Sequence, residues 1–469
     1  MSFDPAARLG RPPSRSMGLK LLLVCALALL MAIPALFVMG ILGERTHRAE
    51  SVSREIGETV GGAQTFMGPV LAVPYTAPGD LIIDQNRVVT GRGPDRRGVY
   101  VVFPVRAHAK ASAQTEIRKR SLFRVPIYTA GLDFTGRFDL SQPLVGLPEG
   151  AALNWRAAEL IVGVSDPRGA RTDIRLVAGG RSYSLAPSAT VGEQRLPDDD
   201  GVTRRMRFFG APAAAVAAPG REFAVRSTMT FQGAERMAIL ASGKWTTVAA
   251  GSDWNDPSFD GGYLPSTRAV DASGFKATWS VPFIARGVPA SGTHELLSRL
   301  GSTSMGVSFV QPANPYQSVG RTLKYAPMFI GLVFLAYFLF ETMSARRMHP
   351  AQYVLVGLAQ TIFYLLLLSI AEQVGFDLGF AIAASATVLL ISVYAGWVFE
   401  SRLRGAVALA AFSALYGLIY VLLRLEDFAL LVGAAASFAA IAAVMYFTRR
   451  IDWYGVGAQV RGGGTAERA

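Results

Sequence analysis

The hydrophobic pattern of the chain has two textures. Residues 21–42 are an apolar run without a charged side chain, long enough to cross a hydrocarbon core of about 30 Å as a helix. Signal-peptide cores are shorter and end in a small-x-small cleavage site. This run ends in Ile41, Leu42 and Gly43 before Glu44 and Arg45, which predicts an uncleaved signal-anchor, kinked at Pro34. Near the other end, apolar runs over 325–341, 353–371, 378–399, 406–423 and 428–447 predict five further spans, six in all. Between them, over 43–321, Gly and Pro recur every several residues between short β-branched and aromatic runs, the signature of strands and turns. Residues 98–106, 132–140, 223–231 and 275–284 read as strands, and 48–59 as a juxtamembrane helix. Val73-Pro74-Tyr75-Thr76 and Val125-Pro126-Ile127-Tyr128-Thr129 hint at duplicated edge strands.

The expected fold is an α+β membrane protein with a signal-anchor helix, a large β-rich, sandwich-like extracytoplasmic domain and a C-terminal five-helix bundle. Its parts are a basic N-terminus (1–20), the first span (21–42), the β-rich domain (43–321), the bundle (322–447) and a tail (448–469). Charge orients it. Arg8, Arg11, Arg15 and Lys20 precede the first span, and Arg346, Arg347, Arg402, Arg404, Arg449 and Arg450 flank later ones. The positive-inside rule then places both termini in the cytoplasm and the β-rich domain outside. Aromatic Trp397, Phe399, Trp453 and Tyr454 fall near the cytoplasmic interfaces, and small residues at Ala406, Ala410, Ala414, Gly433 and Ser437 suit close helix packing within the chain, with a dimer face as the alternative.

The formal charge of +12 does not indicate nucleic acid, because the cations are scattered and many flank apolar runs. The single cysteine, Cys25, precludes an intramolecular disulfide, so sheet and core alone hold the outer domain.

Motifs for chemistry fail on their spacing. His294-Glu295 begins a zinc-protease helix motif, but Ser298 stands where the second histidine belongs. Ser273-Gly274-Phe275-Lys276 has the S-x-x-K spacing of serine enzymes, yet Phe275, Ala277 and Trp279 alternate as in a strand, which separates Ser273 from Lys276. No Walker A, dinucleotide or G-x-S-x-G sequence occurs. No enzyme activity, cofactor or metal is expected. Lys324, Glu341 and Glu400 sit at span ends, where long side chains anchor a helix by reaching water. His349, Pro350, Gln352 and Tyr353 read as a short cytoplasmic hairpin with Tyr353 at the interface.

Longer motifs carry a resemblance. Asn314-Pro315-Tyr316-Gln317, Arg321-Thr322-Leu323-Lys324-Tyr325-Ala326, Phe338-Leu339-Phe340-Glu341 and His349-Pro350-Ala351-Gln352-Tyr353 resemble the hallmark run of the CreD family of bacterial inner-membrane proteins. So do Asp256-Pro257-Ser258-Phe259, Gly274-Phe275-Lys276-Ala277-Thr278-Trp279, Gly68-Pro69, and the closing Thr448-Arg449-Arg450-Ile451-Asp452-Trp453-Tyr454. The resemblance implies a cell-envelope integrity protein linked to a two-component regulon, tolerance to colicin-like toxins and responses to β-lactams. It carries no catalytic residues over. Lys324, Glu341, His349, Pro350, Gln352, Tyr353, Asp452 and Trp453 are the candidate motif residues. The expected partners are the lipid bilayer and, through the outer domain, envelope proteins or peptidoglycan-related components. The alternative is a transporter or lipid-handling protein that uses the helical bundle.

Overall fold

The computed structural model describes residues 17–83, 89–120, 123–197, 201, 203–309, 315–343, 348–424 and 429–449. It divides into a β-rich unit, Ala49–Pro312, and a helical unit made of Met1–Arg48 with Ala313–Ala469. In chain order the helices are α1 (Met17–Leu30), α2 (Ala32–Thr59), α3 (Phe283–Arg286), α4 (Pro315–Lys324), α5 (Ala326–Thr342), α6 (Pro350–Val374), α7 (Phe376–Val398), α8 (Arg402–Arg424) and α9 (Ala429–Thr448).

In the helical unit, α1 and α2 are interrupted only by a turn at Met31. Pro34 has no N–H to return to the Leu30 carbonyl, so the break falls one turn before the proline. The same helix continues through the residues expected as a separate juxtamembrane helix. Among the described residues, four helices are long and apolar enough to cross a membrane: Gly18–Thr59, Pro350–Val374, Phe376–Val398 and Arg402–Arg424. A fifth span is made if α4 and α5, bent by 51° at Tyr325, count as one. Helix α9 occupies the stretch read as the last span.

The first helix runs antiparallel to the α4–α5 pair. Lys20 meets Glu341 at one end, Met31 lies against Gly357 beside Phe334 in the middle, and Leu42 lies against Gly320 at the other. Further along, Phe363 of α6 packs edge-on to Tyr416 of α8 at 5.0 Å and to Phe380 of α7 at 5.7 Å. Such aromatic pairs fix helix rotation through their quadrupoles as well as their area. Helices α7 and α8 approach closely where Gly396 faces Gly405. The small-residue stripe behaves otherwise than expected: Ala406, Ala410 and Ala414 remain exposed. The buried face of α8 is formed instead by Ala408, Phe412, Tyr416 and Ile419.

In the β-rich unit two large sheets share one core. The first runs, in spatial order, Ala186–Pro187, Thr203–Pro212, Glu159–Val164, Gln64–Ala77, Arg236–Leu240, Ser304–Phe309 and Pro257–Asp260, with shorter strands off this path. The second runs Arg181–Ser184, Arg175–Ala178, Glu222–Ala234, Phe123–Asp139, Arg106–Arg120, Trp245–Ser252, Gly274–Val281 and Thr267–Asp271. Phe66 of the first sheet meets Phe231 of the second edge-on at 5.3 Å, inside a core drawn from both.

Strand Gln64–Ala77 is buried on both faces. Phe66, Leu71 and Val73 point into the intersheet core, while Met67, Val70 and Ala72 pack with Leu297 and Leu300 of the 3-10 segment His294–Thr303. An alternating strand cannot normally put Met67 and Val70 on one face. The register shift between them, over Gly68-Pro69, resets the alternation. A Cβ at Gly68 would stand 3.0 Å from the Phe134 ring and 3.1 Å from the Ser242 hydroxyl, so any larger residue there requires these side chains to shift.

Several strand expectations change in detail. The run 98–106 divides into Arg96–Val102 and a strand starting at Arg106, because Pro104 offers no donor and Phe103 turns into the second core. The run 275–284 ends at Val281, where Pro282 caps α3. Pro74 and Pro126 lie in interior strands, not edge strands. Each falls where one flank lacks a ladder partner. Pro126 is one residue beyond the pairing with Glu222–Ala234, and Pro74 lies between the pairings with Ala152–Leu153 and Glu159–Val164.

Polar groups in this unit are mostly paired. The buried Arg236 donates to Asp260 at 2.7 Å, and its carbonyl accepts from the Tyr128 hydroxyl at 2.8 Å. Burial raises the Tyr128 pKa and keeps the phenol neutral. Glu235, at φ 65°, joins the two ends of the unit: it accepts from Ser53 at 2.7 Å, and its carbonyl accepts from the Phe309 amide at 2.8 Å.

Thr65 Oγ1, Ser227 Oγ and His294 Nδ1 are buried without a partner among the described residues, and Arg286 is the charged case. It is 3% exposed, its Nε and Nη1 have no partner among the described residues, and it rests over the Phe103 ring at 4.3 Å. Burial depresses its pKa to about 10. A cation whose folded pKa is depressed costs stability in full below that value and regains it only as pH rises above. Arg286→Met is therefore expected to raise the thermal midpoint of the purified protein by a few degrees at neutral pH. A fall of similar size in a thermal-shift measurement would show that the cation is net stabilising.

Candidate functional site

Two arrangements concentrate polar chemistry, one in each unit. In the helical unit, Glu341, one residue from the end of α5, is 4% exposed. One of its oxygens accepts from Lys20 of α1 and from the Met348 amide at 2.8 Å; the other accepts from the Tyr353 hydroxyl of α6 at 2.9 Å. Lys20 also donates to the Met348 carbonyl at 3.2 Å. A carboxylate removed from water is tolerated only when its lone pairs are filled and a cation is at hand, and both conditions hold. The same cluster fixes the start of α6. His349 is its N-cap with extended backbone, Pro350 fills the first turn, and the Ala351 amide donates to His349 Nδ1 at 3.2 Å. Gln352 Oε1 accepts from the His349 amide at 2.9 Å, closing a capping box.

The structure thus gathers five of the motif residues, Glu341, His349, Pro350, Gln352 and Tyr353, around a sixth group, Lys20, which the sequence reading used only as an orientation charge. Three expectations are corrected. Glu341 does not reach water but is buried and paired, and Tyr353, 1% exposed, is not an interface anchor. The expected hairpin at His349–Tyr353 is the capped first turn of α6. Lys324 is exposed at the end of α4, away from this cluster, and Glu400 is exposed at φ 45° in the turn after α7. Asp452 and Trp453 lie outside the described residues.

The earlier near-misses resolve without chemistry. Ser273 donates to Asp271 at 2.5 Å in a turn before its strand, and Ser298 donates to the Glu295 carbonyl at 2.7 Å. Among the described residues no group of three or more His, Cys, Asp and Glu side chains could hold a metal.

In the β-rich unit a groove of about 1060 Å³ crosses five consecutive strands of the second sheet. In register, Trp245 lies opposite Arg106, Arg106 opposite Arg137, and Arg137 opposite Ala224. The adjacent row holds Thr247, His108, Thr135, Arg226 and Val177, with His108 Nδ1 2.8 Å from Thr247 Oγ1. Lys244 and Phe283 complete the rim. Arg106 begins its strand, and Arg120, at the far end of the same strand, pairs with Glu55 of α2 at 2.7 Å. The groove therefore lies at the end of the unit remote from Glu55, the residue of α2 through which the chain enters. Arg137 is paired with Glu222 at 2.6 Å and Arg226 with Asp133. The sequence hides this site because its residues come from separate strands. Only the alternation of Arg106, His108 and Lys110 with Ala107, Ala109 and Ala111 announces an exposed polar face.

Helices of membrane-spanning length and composition joined to a β-rich unit define the class, a multi-pass membrane protein. Comparison with known proteins gives the family: the family described as Inner membrane protein CreD matches residues 16–454, and the chain belongs to it. It is similar to the Inner membrane protein CreD of Escherichia coli (strain K12), 28% identical over 435 residues that cover 91% of each chain.

Removing one partner of a buried pair leaves the other charge uncompensated, at about 3–5 kcal/mol, whereas replacing both with apolar groups is close to neutral. Lys20→Met alone is therefore expected to lower the unfolding midpoint in detergent by several degrees, and Lys20→Met with Glu341→Leu to restore most of the loss. Additive losses in this double-mutant cycle would mean that the two groups do not act as a pair.

Proposed function

We propose that this chain is a non-enzymatic inner-membrane protein that supports cell-envelope integrity, and that its β-rich unit lies in the periplasm and binds or senses an envelope component. In this reading six spans cross the membrane, the first as a signal-anchor, and both termini are cytoplasmic. The basic residues before the first span and after the second, fourth and sixth support that orientation. The resemblance to a family linked to colicin tolerance and β-lactam responses supports the envelope role.

The observation that carries the binding role is the groove. It lies away from where the chain enters the unit, and its rim exposes Trp245 and Phe283 by 50% and 46% beside four cations. Exposed aromatics next to charge are characteristic of contact surfaces. Envelope proteins, peptidoglycan-related components and the lipid bilayer are the partners within reach of a periplasmic unit.

Replacing residues 60–309 with a flexible linker keeps α1, α2 and α4–α9. In a strain lacking the native gene, the shortened protein is expected to reach the membrane yet fail to restore toxin and β-lactam responses. Full restoration at equal protein level would place the function in the helical unit instead.

A further inference from the structure

The groove's charge arrangement is unfavourable as it stands. Arg106 and Arg137 face each other in register on neighbouring antiparallel strands, and like charges directly opposite destabilise a sheet. The nearby carboxylates are already engaged. Glu222 bonds Arg137, Asp133 bonds Arg226, and Asp139 accepts from Ser141 and Gln142, with Lys244 adding to the field that lowers its pKa. Arg106 has no carboxylate partner among the described residues. An anion between Arg106 and Arg137 would convert a repulsion into charge-assisted hydrogen bonds.

The outer face beside these cations presents Ala224, Gly179 and Val177 alongside Arg226, and Trp245 and Phe283 stand at the opposite end; Ala178 and Val225 reach the groove only through their backbone, since their side chains lie in the intersheet core. No Asn, Gln, Asp or Glu lines the groove, so it offers sugar hydroxyls no amide or carboxylate acceptor, and Thr247 is already bonded to His108. From between Arg106 and Arg137 to Val177 is two to three inter-strand steps, about 12 Å, on the scale of an extended acyl chain of about ten carbons.

We propose that this groove binds an anionic amphiphile, a single acyl chain with a phosphate or carboxylate head, the head between Arg106, Arg137 and Lys244 and the chain along Ala224 and Gly179 toward Val177. This rests on the reading of the groove as a ligand site and adds the chemistry of the ligand.

The test uses the full chain in lipid nanodiscs and the fluorescent fatty acid 11-(dansylamino)undecanoate, with empty nanodiscs as background. Its methyl ester lacks the charge, and dansylglycine lacks the chain. Saturable binding above background is expected for the fatty acid alone. Arg106→Ala is expected to weaken it about tenfold or more without lowering the thermal midpoint. The exposed Lys276→Ala, outside the groove, is expected to leave binding intact. Binding no better than to empty nanodiscs, or equal binding by Arg106→Ala, would overturn the proposal. So would an acidic oligogalacturonate that competes as well as the fatty acid, which would assign a glycan. A protein that binds no amphiphile but still loses its envelope phenotype without residues 60–309 would end this inference and leave the broader reading standing.

Discussion

The helical unit depends on keeping one carboxylate out of water. Glu341 sits at the end of an apolar helix with almost no exposed surface, and an isolated charge there would cost several kcal/mol. Lys20, Tyr353 and the Met348 amide remove that cost together, and each comes from a different part of the chain. The pairing fixes the register of α1 against α5, the same register in which Met31 meets Gly357 and Leu42 meets Gly320. It also sets where α6 begins, since Met348 precedes the His349–Gln352 capping box.

The β-rich unit solves a different problem. With one cysteine and no disulfide, it is held by burial. Strand Gln64–Ala77 carries that load because both its faces are covered, one by the second sheet and one by the segment His294–Thr303. Glu235 draws the beginning and end of the unit together, while strand Arg106–Arg120 carries the cationic face to the end away from Glu55. Stability is thus concentrated in the middle layer, which leaves the outer face of the second sheet free to hold unfavourably placed charge.

Much of the helical pattern was legible in the sequence because length and apolarity are local properties: α6, α7, α8 and α9 begin and end within a few residues of the runs that announced them. What failed was tertiary. Lys20 and Glu341 are 321 residues apart, and nothing local says that a cation before one span will bury against a carboxylate ending another. An aromatic residue at a span end suits the interface, but the Tyr353 hydroxyl has a buried acceptor in Glu341. In the β-rich unit alternation revealed the strands but not their neighbours. Pro74 and Pro126 suggest edge strands in the sequence, whereas they mark local gaps in interior ladders. The groove was invisible for the same reason, since strand order and register alone bring Trp245, Arg106 and Arg137 into one row.

The topology proposed above puts the Lys20–Glu341 end of the helical unit on the cytoplasmic side and the β-rich unit in the periplasm. Single-cysteine variants in a Cys25→Ser background test it most directly, with cysteine at the exposed Met343 beside the cluster or at the exposed Thr267 in the β-rich unit. With a membrane-impermeant maleimide on intact spheroplasts, the account predicts labelling at 267 and none at 343 until the membrane is lysed. Labelling at 343 in intact spheroplasts, or protection at 267, would contradict it.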